Sequence, residues 1–282
     1  MSTIQAGLFD HAPRTIPDRI GPAAVRAVET MHLLTPGKGR TATYDYTLNP
    51  YRGCSFGCSY CYAAFFVADE KMRAEWGQWV EAKVNAADAL RRKDLHGRKI
   101  FMSSVTDPYQ PLEQKLELTR EVVEILAEQG ARLVVQTRSP LAARDIDLFL
   151  RFKHVRVNMS VTTDDDEIRK QFEPACASIE RRLDAVEQIA KAGIKANVCL
   201  CPMLPMDDPE AFGRRLVKMR VNAVAASWFH TGDRAFAAGT RDPAITLAEK
   251  LGWTRHEYEQ TRAALASNCP LFGESVRAFG PV

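Results

Sequence analysis

An α/β fold of six βα units wound into a partial barrel is what three observations in the sequence predict. From Tyr44 onward, short β-rich runs alternate with helical stretches of ten or more residues, the pattern of repeated βα units around a parallel sheet. A chain of 282 residues suits one large α/β barrel or two small domains. The strand segments also divide into an apolar and a polar side, as walls around a ligand-facing interior do.

Residues 1–40 carry scattered Pro13, Pro17, Pro22, Pro36, Gly37 and Gly39 and no sustained apolar period. They read as a loosely ordered arm with one short helix near 23–33. Strands are predicted at 44–48, 100–106, 132–138, 155–162, 194–201 and 223–228, with helices in the gaps. Ser139, Asp208 and Asp242 each precede a proline suited to the first helical position, so they read as N-caps. Gly130 and Gly193 read as helix C-caps. After Ser178, the residues Ile179, Leu183, Val186 and Ile189 recur on one helical face that should cover the sheet. The expected organisation is the arm at 1–40, the partial barrel at 41–235 and a C-terminal helical extension at 236–282.

Alternation within the strands carries the argument toward function. Val155, Val157, Met159 and Val161 form an apolar set, and Arg156, Asn158, Ser160 and Thr162 a polar one. A parallel strand packed on both faces would be apolar throughout. With the apolar set under helices, the polar set turns inward, together with Ser104, Thr106, Gln136 and Arg138, and outlines a ligand-filled cavity. Edge strands with one solvated face would give the same alternation.

A hydrophobic content of 46% with 26% charged residues excludes a disordered chain. The net charge of +3, from 38 basic and 35 acidic residues, is too small for field strength alone to imply a nucleic-acid or membrane partner. No run approaches the ~18 apolar residues of a membrane span, and the first ten residues lack the pattern of a signal peptide, so a cytoplasmic protein is expected. In that compartment seven cysteines suggest metal or redox chemistry and not a disulfide framework.

Cys54, Cys58 and Cys61 stand in a Cys-x3-Cys-x2-Cys arrangement just after the first predicted strand. Gly53 and Gly57 suit the tight wrapping of such a loop. A closed zinc site wants four ligands, and no second Cys-x2-Cys or His pair occurs. An iron-sulfur cluster on three thiolates leaves one iron open to an exogenous molecule.

With this loop, and with Tyr60 directly before its last cysteine, the sequence resembles the radical S-adenosylmethionine (SAM) superfamily. Residues 49–54 (NPYRGC), 106–111 (TDPYQP) and 197–205 are similar to its spore photoproduct lyase-related, DNA repair photolyase-like group. The resemblance covers roughly residues 40–230. It implies a (β/α)6 TIM-like barrel, a [4Fe-4S] cluster on Cys54, Cys58 and Cys61, and SAM on the fourth iron. It further implies a lyase-like reaction begun by a 5′-deoxyadenosyl radical, an electron donor such as flavodoxin or ferredoxin, and a nucleic acid among the expected substrates. By the same resemblance Tyr60 lies near the adenine, Thr106 and Asp107 near the methionyl end or ribose, and Arg138 and Ser160 near the cofactor.

One departure bears on the chemistry. Spore photoproduct lyases use a cysteine to return a hydrogen atom to the repaired thymine, and the matching position here is Ser104, whose O–H bond is too strong for that task. The catalytic candidates are Ser104 at that position, Tyr62, which with Tyr60 matches radical-relay tyrosines of the family, and Cys199 or Cys201 as a substitute donor or holders of a second cluster. Packing explains Tyr62 and both cysteines without chemistry. Cys176 and Cys269 have no assigned role. Basic residues at 91–93, 181–182 and 214–215 read as solvated helix faces. His230, in a loop at 228–234 expected over the barrel mouth, reads as a substrate contact or a polar loop residue. Trp76 and Trp79 read as packing for the helix before the second strand. The alternatives to a radical SAM enzyme are an iron-sulfur electron-transfer or sensing protein and a zinc-binding structural module.

Overall fold

Parallel pairing of the βα units produces an eight-stranded sheet with helices on its outer face, seen in a computed structural model that describes residues 15–230, 239–274 and 279–282. In chain order the strands are β1 (Arg19–Ile20), β2 (Ala23–Val28), β3 (Leu34–Pro36), β4 (Tyr46–Leu48), β5 (Tyr51–Gly53), β6 (Trp79–Lys83), β7 (Lys99–Met102), β8 (Arg132–Thr137), β9 (Val155–Ser160), β10 (Lys195–Leu200), β11 (Ala223–Ala226) and β12 (Phe272–Glu274). The α-helices are α1 (Glu70–Ala74), α2 (Ala86–Arg91), α3 (Glu113–Leu116), α4 (Leu118–Glu128), α5 (Ile146–Phe149), α6 (Asp166–Phe172), α7 (Ile179–Lys191), α8 (Pro209–Lys218), α9 (Asp242–Lys250) and α10 (Arg255–Ser267).

The main sheet has the order β12-β11-β10-β9-β8-β7-β4-β3. Its neighbours are parallel from β4 to β12, and β3 pairs antiparallel with β4. The two edges do not join, so the barrel is partial. All six expected strands lie in it, although β7 ends at Met102 and not at Thr106. Side chains of Ser139, Asp208 and Ser178 cap the helical segments that follow them. At α9 the cap residue is Arg241, which makes no side-chain capping bond, and Asp242 occupies the first turn, where its charge complements the helix dipole. Among the described residues no helix is long and apolar enough to cross a membrane.

A second, four-stranded sheet in the order β1-β2-β6-β5 is absent from the sequence reading. Residues 23–28, expected within a short helix, form β2, where Ala23 and Val25 are buried and the strand pairs in parallel with β6. Alanine favours helix locally, but a partner strand and a buried face override that preference. Trp79, expected to pack a helix, opens β6. The region after residue 236 contributes α9 and α10, and also β12 on the sheet edge.

Register separates the two faces of the main sheet. Leu133, Val157, Met159 and Val198 join the main core with Val122, Leu126, Leu183, Val186 and Ile189 of the covering helices. Thr47, Phe101, Val134 and Arg156 are successive ladder partners on the other face. Above them lie Gln136, Asn158 and Asn197, then Ser160 and Cys199. Every residue of β9 is buried, so its alternation is not that of a solvated edge. Phe101 is the inward residue of β7, while Ser104 and Thr106 lie beyond its end, which corrects the expectation that strand alternation turns these two inward. Phe279 and Val282 pack against Tyr44, Phe101 and Val134, filling the end of the interior where the strands begin. Tyr44 Oη donates to Phe279 O at 2.6 Å and Arg156 Nη2 to Gly280 O at 2.5 Å.

Candidate active site at the cysteine loop

Cys54, Cys58 and Cys61 follow β5 directly, and all three are free thiols, the first two buried and Cys61 partly exposed. Gly57 N donates to Cys54 O at 3.3 Å and Cys61 N to Cys58 O at 3.2 Å, which curls the loop on itself. Gly57 (φ +58°) and Gly77 (φ +101°) meet backbone to backbone, and a Cβ built on Gly77 would lie 2.7 Å from Gly57 Cα. The loop can therefore rest directly on the segment that carries Trp76 and Trp79, whose rings pack edge to face at 6.0 Å. From the other side, Ser55 N donates to Gln110 Oε1 at 2.9 Å and Thr106 Oγ1 to Gly53 O at 2.5 Å. Asn49 Oδ1 accepts from Ser104 N at 3.0 Å and Val105 N at 3.2 Å, joining the segment after β4 to the one after β7. The segments 49–54 and 106–111 are thus two sides of one structure.

Asp107 is buried, and its carboxylate is turned onto protein groups: Tyr109 N at 2.9 Å, Thr137 Oγ1 at 2.6 Å and Arg138 N at 2.8 Å. It fixes the backbone from which Arg138 extends. The Arg138 guanidinium lies 5.5 Å from the centre of the Tyr60 ring, bonds the Tyr60 hydroxyl and reaches Glu173 Oε1 at 2.9 Å. Glu173 also accepts from the Tyr60 hydroxyl and from Thr162 Oγ1 at 2.8 Å, and its second oxygen faces Arg182 Nη2 at 2.5 Å. Arg182, expected on a solvated helix face, is wholly buried. Ser160 Oγ sits on the interior face and bonds Gln136 Nε2 at 2.8 Å.

The catalytic candidates divide. Tyr62 and Ser104 come together, with Tyr62 Oη donating to Ser104 O at 2.5 Å and Asn49 Nδ2 to Ser104 Oγ at 3.3 Å. Tyr62 also meets the His230 ring edge to face at 5.4 Å. Burial, followed by the charge of Arg40, pulls His230 down to about 4. The rest of its loop, residues 231–234, lies outside the described residues. Cys199 is buried on the interior face, and Cys201 is partly exposed beyond the end of β10. Burial raises both thiols, Cys201 to about 11. A cavity of about 270 Å³, lined by Phe149, His154, Lys195 and Val282 among others, opens at the opposite end of the sheet and includes none of these residues.

Sequence reasoning missed Glu173, Arg182 and Cys176. Cys176, to which the sequence assigns no role, places its Sγ 3.8 Å from Cys58 Sγ. The two thiols are 118 positions apart, and no local spacing announces their contact. Cys58 is pulled below the usual thiol range, first by its bond with Cys176, against burial, with help from Arg138. Burial pushes Cys54 up, and Cys61 up to about 11.

The donor set fits a cluster. Among the described residues no three His, Cys, Asp or Glu side chains gather closely enough to share one metal ion. The three free thiols of the curled loop supply the three protein ligands that a four-iron cluster with one open iron takes, one fewer than a closed zinc site wants. Arg138 and Arg241 set positive charge against these thiols.

A partial α/β barrel with three thiols on one loop at the end of its strands is the class of protein that the fold and the loop define. Residues 48–216 match the radical SAM superfamily model, and the chain belongs to that superfamily. It is similar to the uncharacterized protein MJ0683 of Methanocaldococcus jannaschii, 36% identical over 160 residues, which are 57% of this chain and 61% of that protein. It is also similar to the radical SAM Nalpha-GlyT isomerase of Pseudomonas phage M6, 24% identical over 65% of this chain and 39% of the other. In fold it is similar to a spore photoproduct lyase complexed with dinucleoside spore photoproduct, with a TM-score of 0.61 and 14% identity over 89% of this chain and 81% of that one.

Proposed function

We propose that this chain binds a [4Fe-4S] cluster through Cys54, Cys58 and Cys61 and uses it with SAM to remove a hydrogen atom from a substrate. The observation that carries this reading is the set of three free thiols on a loop locked between residues 76–79 and 106–111, at the mouth of a polar-lined interior. A cluster held by Cys54, Cys58 and Cys61 would supply the one-electron reduction that splits the S–C5′ bond of SAM, releasing methionine and leaving the 5′-deoxyadenosyl group to take a hydrogen atom from the substrate.

The chain's own residues position and exclude. Asp107 orients the backbone of Arg138, whose guanidinium brings positive charge toward Cys58. Tyr60 is held by Glu173, so its ring forms a fixed wall beside the loop. Gln136 Oε1 and Ser103 Oγ are buried without a hydrogen-bond partner and suit the polar atoms of a bound ligand. Residues 279–282 block the far end of the interior, which leaves the cysteine-loop end for ligands.

A nucleic acid is the substrate class we propose to test first, with a flavodoxin or ferredoxin as electron donor. With Ser104 where a thiol donor would stand, efficient repair of spore photoproduct is not expected. Anaerobically reconstituted protein should bind about four irons, show a cluster EPR signal altered by SAM, and release 5′-deoxyadenosine on reduction. Replacing Cys54, Cys58 or Cys61 with Ala should remove the visible cluster absorbance and the deoxyadenosine together. Zinc in place of iron, or an EPR signal indifferent to SAM, would sink the reading.

A further inference from the structure

The segment that follows α6 returns to the cysteine loop and docks on it. Ser59 N donates to Phe172 O at 2.9 Å, and Tyr60 bonds Glu173. Three residues further on, Cys176 Sγ stands 3.8 Å from Cys58 Sγ, both of them buried. The position of Cys176 is set by its own backbone, whose N–H bonds Glu173 O at 3.1 Å and whose carbonyl accepts from Arg169 Nη1 at 2.9 Å. Arg169 is fixed in turn by Asp166 Oδ1 at 2.6 Å. Both ends of the sulfur contact are therefore held to the same frame.

We propose that Cys176 donates an S–H hydrogen bond to the Cys58 sulfur when that sulfur ligates the cluster, and that this bond raises the cluster's reduction potential. The inference rests on the reading given under Proposed function. In the free protein either thiol can donate. Cys58 gives up its proton on binding iron, so the one S–H left in the pair belongs to Cys176, which assigns donor and acceptor. A hydrogen bond to a ligand sulfur stabilises the reduced, more negative cluster more than the oxidised one, and such bonds are among the levers that set cluster potentials. Cys176 is here a positioning and tuning residue and not a fourth ligand.

The test uses the full chain, reconstituted anaerobically, as wild type and as Cys176→Ala, Cys176→Val and Cys176→Ser. Val keeps the buried volume without a donor, and Ser keeps a donor. Iron content and EPR-monitored redox titration are the readouts. All four proteins should hold the same iron. At a fixed potential the Ala and Val variants should show on the order of a tenfold lower ratio of reduced to oxidised cluster, a downward shift of about 59 mV for one electron, with Ser near wild type. Intact clusters with one common potential would overturn the inference alone. A Ser variant shifted as far as Ala would do the same, because it would trace the shift to packing. Iron lost from a folded Cys176 variant would overturn it by making Cys176 a ligand. A wild-type chain that takes up no cluster would overturn the proposed function, and this inference with it.

Discussion

Glu173 places one negative charge between two guanidinium groups, those of Arg138 and Arg182, with Glu173 and Arg182 entirely withdrawn from solvent. Burial alone would push this carboxyl up, but Arg182, Arg138 and the Tyr60 hydroxyl outweigh it and hold the group down at about 2. Glu173→Gln leaves two buried cations without their counter-charge. It should destabilise the fold by about 3–5 kcal/mol, read from denaturant midpoints at neutral pH. The sign of the pH dependence follows from the lowered value. The folded protein binds this proton less tightly than the unfolded chain, so the contribution is complete above the ordinary carboxylate range and is lost as pH falls toward about 2. The gap between wild type and Gln variant should accordingly shrink across that interval, and a gap independent of pH would contradict the assignment. The thiols give a second expectation. Cys54 and Cys61 are raised by burial, and as the proposed cluster ligands both would have to lose a proton to bind iron. Cluster reconstitution should quicken with rising pH between about 7 and 9 as the thiolate fraction grows, followed as the growth of visible absorbance. Of these residues the three loop cysteines could be singled out from the sequence, because their shared spacing is local. Glu173 could not, since its bond to Tyr60 spans 113 positions and depends on sheet order.

At the scale of elements, the cysteine loop is shaped by neighbours that carry no ligand. Gly77 has a φ of +101°, and a side chain there would drive into the backbone of Gly57. Gly77→Ala should displace the loop and so lower the iron content expected of the proposed cluster site, and the left-handed backbone adds about 1–2 kcal/mol of strain. Full iron occupancy in that variant would show that the loop tolerates a lifted seat. The strand-helix repetition of β7 to β11 was readable because alternation and capping agree along each unit. The four-stranded sheet was hidden, since β2 and β6 are short and Ala-containing and become strands only through each other. The early end of β7 was hidden for a related reason. Asn49 captures the amides of Ser104 and Val105, a contact that no periodicity in 100–106 encodes.

For the molecule as a whole, residues 279–282 decide how the interior is closed. Phe279 and Val282 cover Tyr44, Phe101 and Val134, and Arg156 and Tyr44 bond the carbonyls of Gly280 and Phe279. Phe279→Ala should cost about 2–4 kcal/mol, measured by chemical denaturation, while the iron content of the cysteine loop at the other end of the sheet is retained. Loss of iron with no loss of stability would reverse that division of roles. The same closure has a consequence for biosynthesis. Tyr44 and Phe279 are 235 positions apart. At about 5–20 residues per second, a ribosome makes them roughly 12–47 s apart. The cysteines at 54, 58 and 61 therefore leave the ribosome long before the floor beneath them exists, and during that interval the nascent thiols meet oxidants and free metals with one wall of their shelter not yet translated.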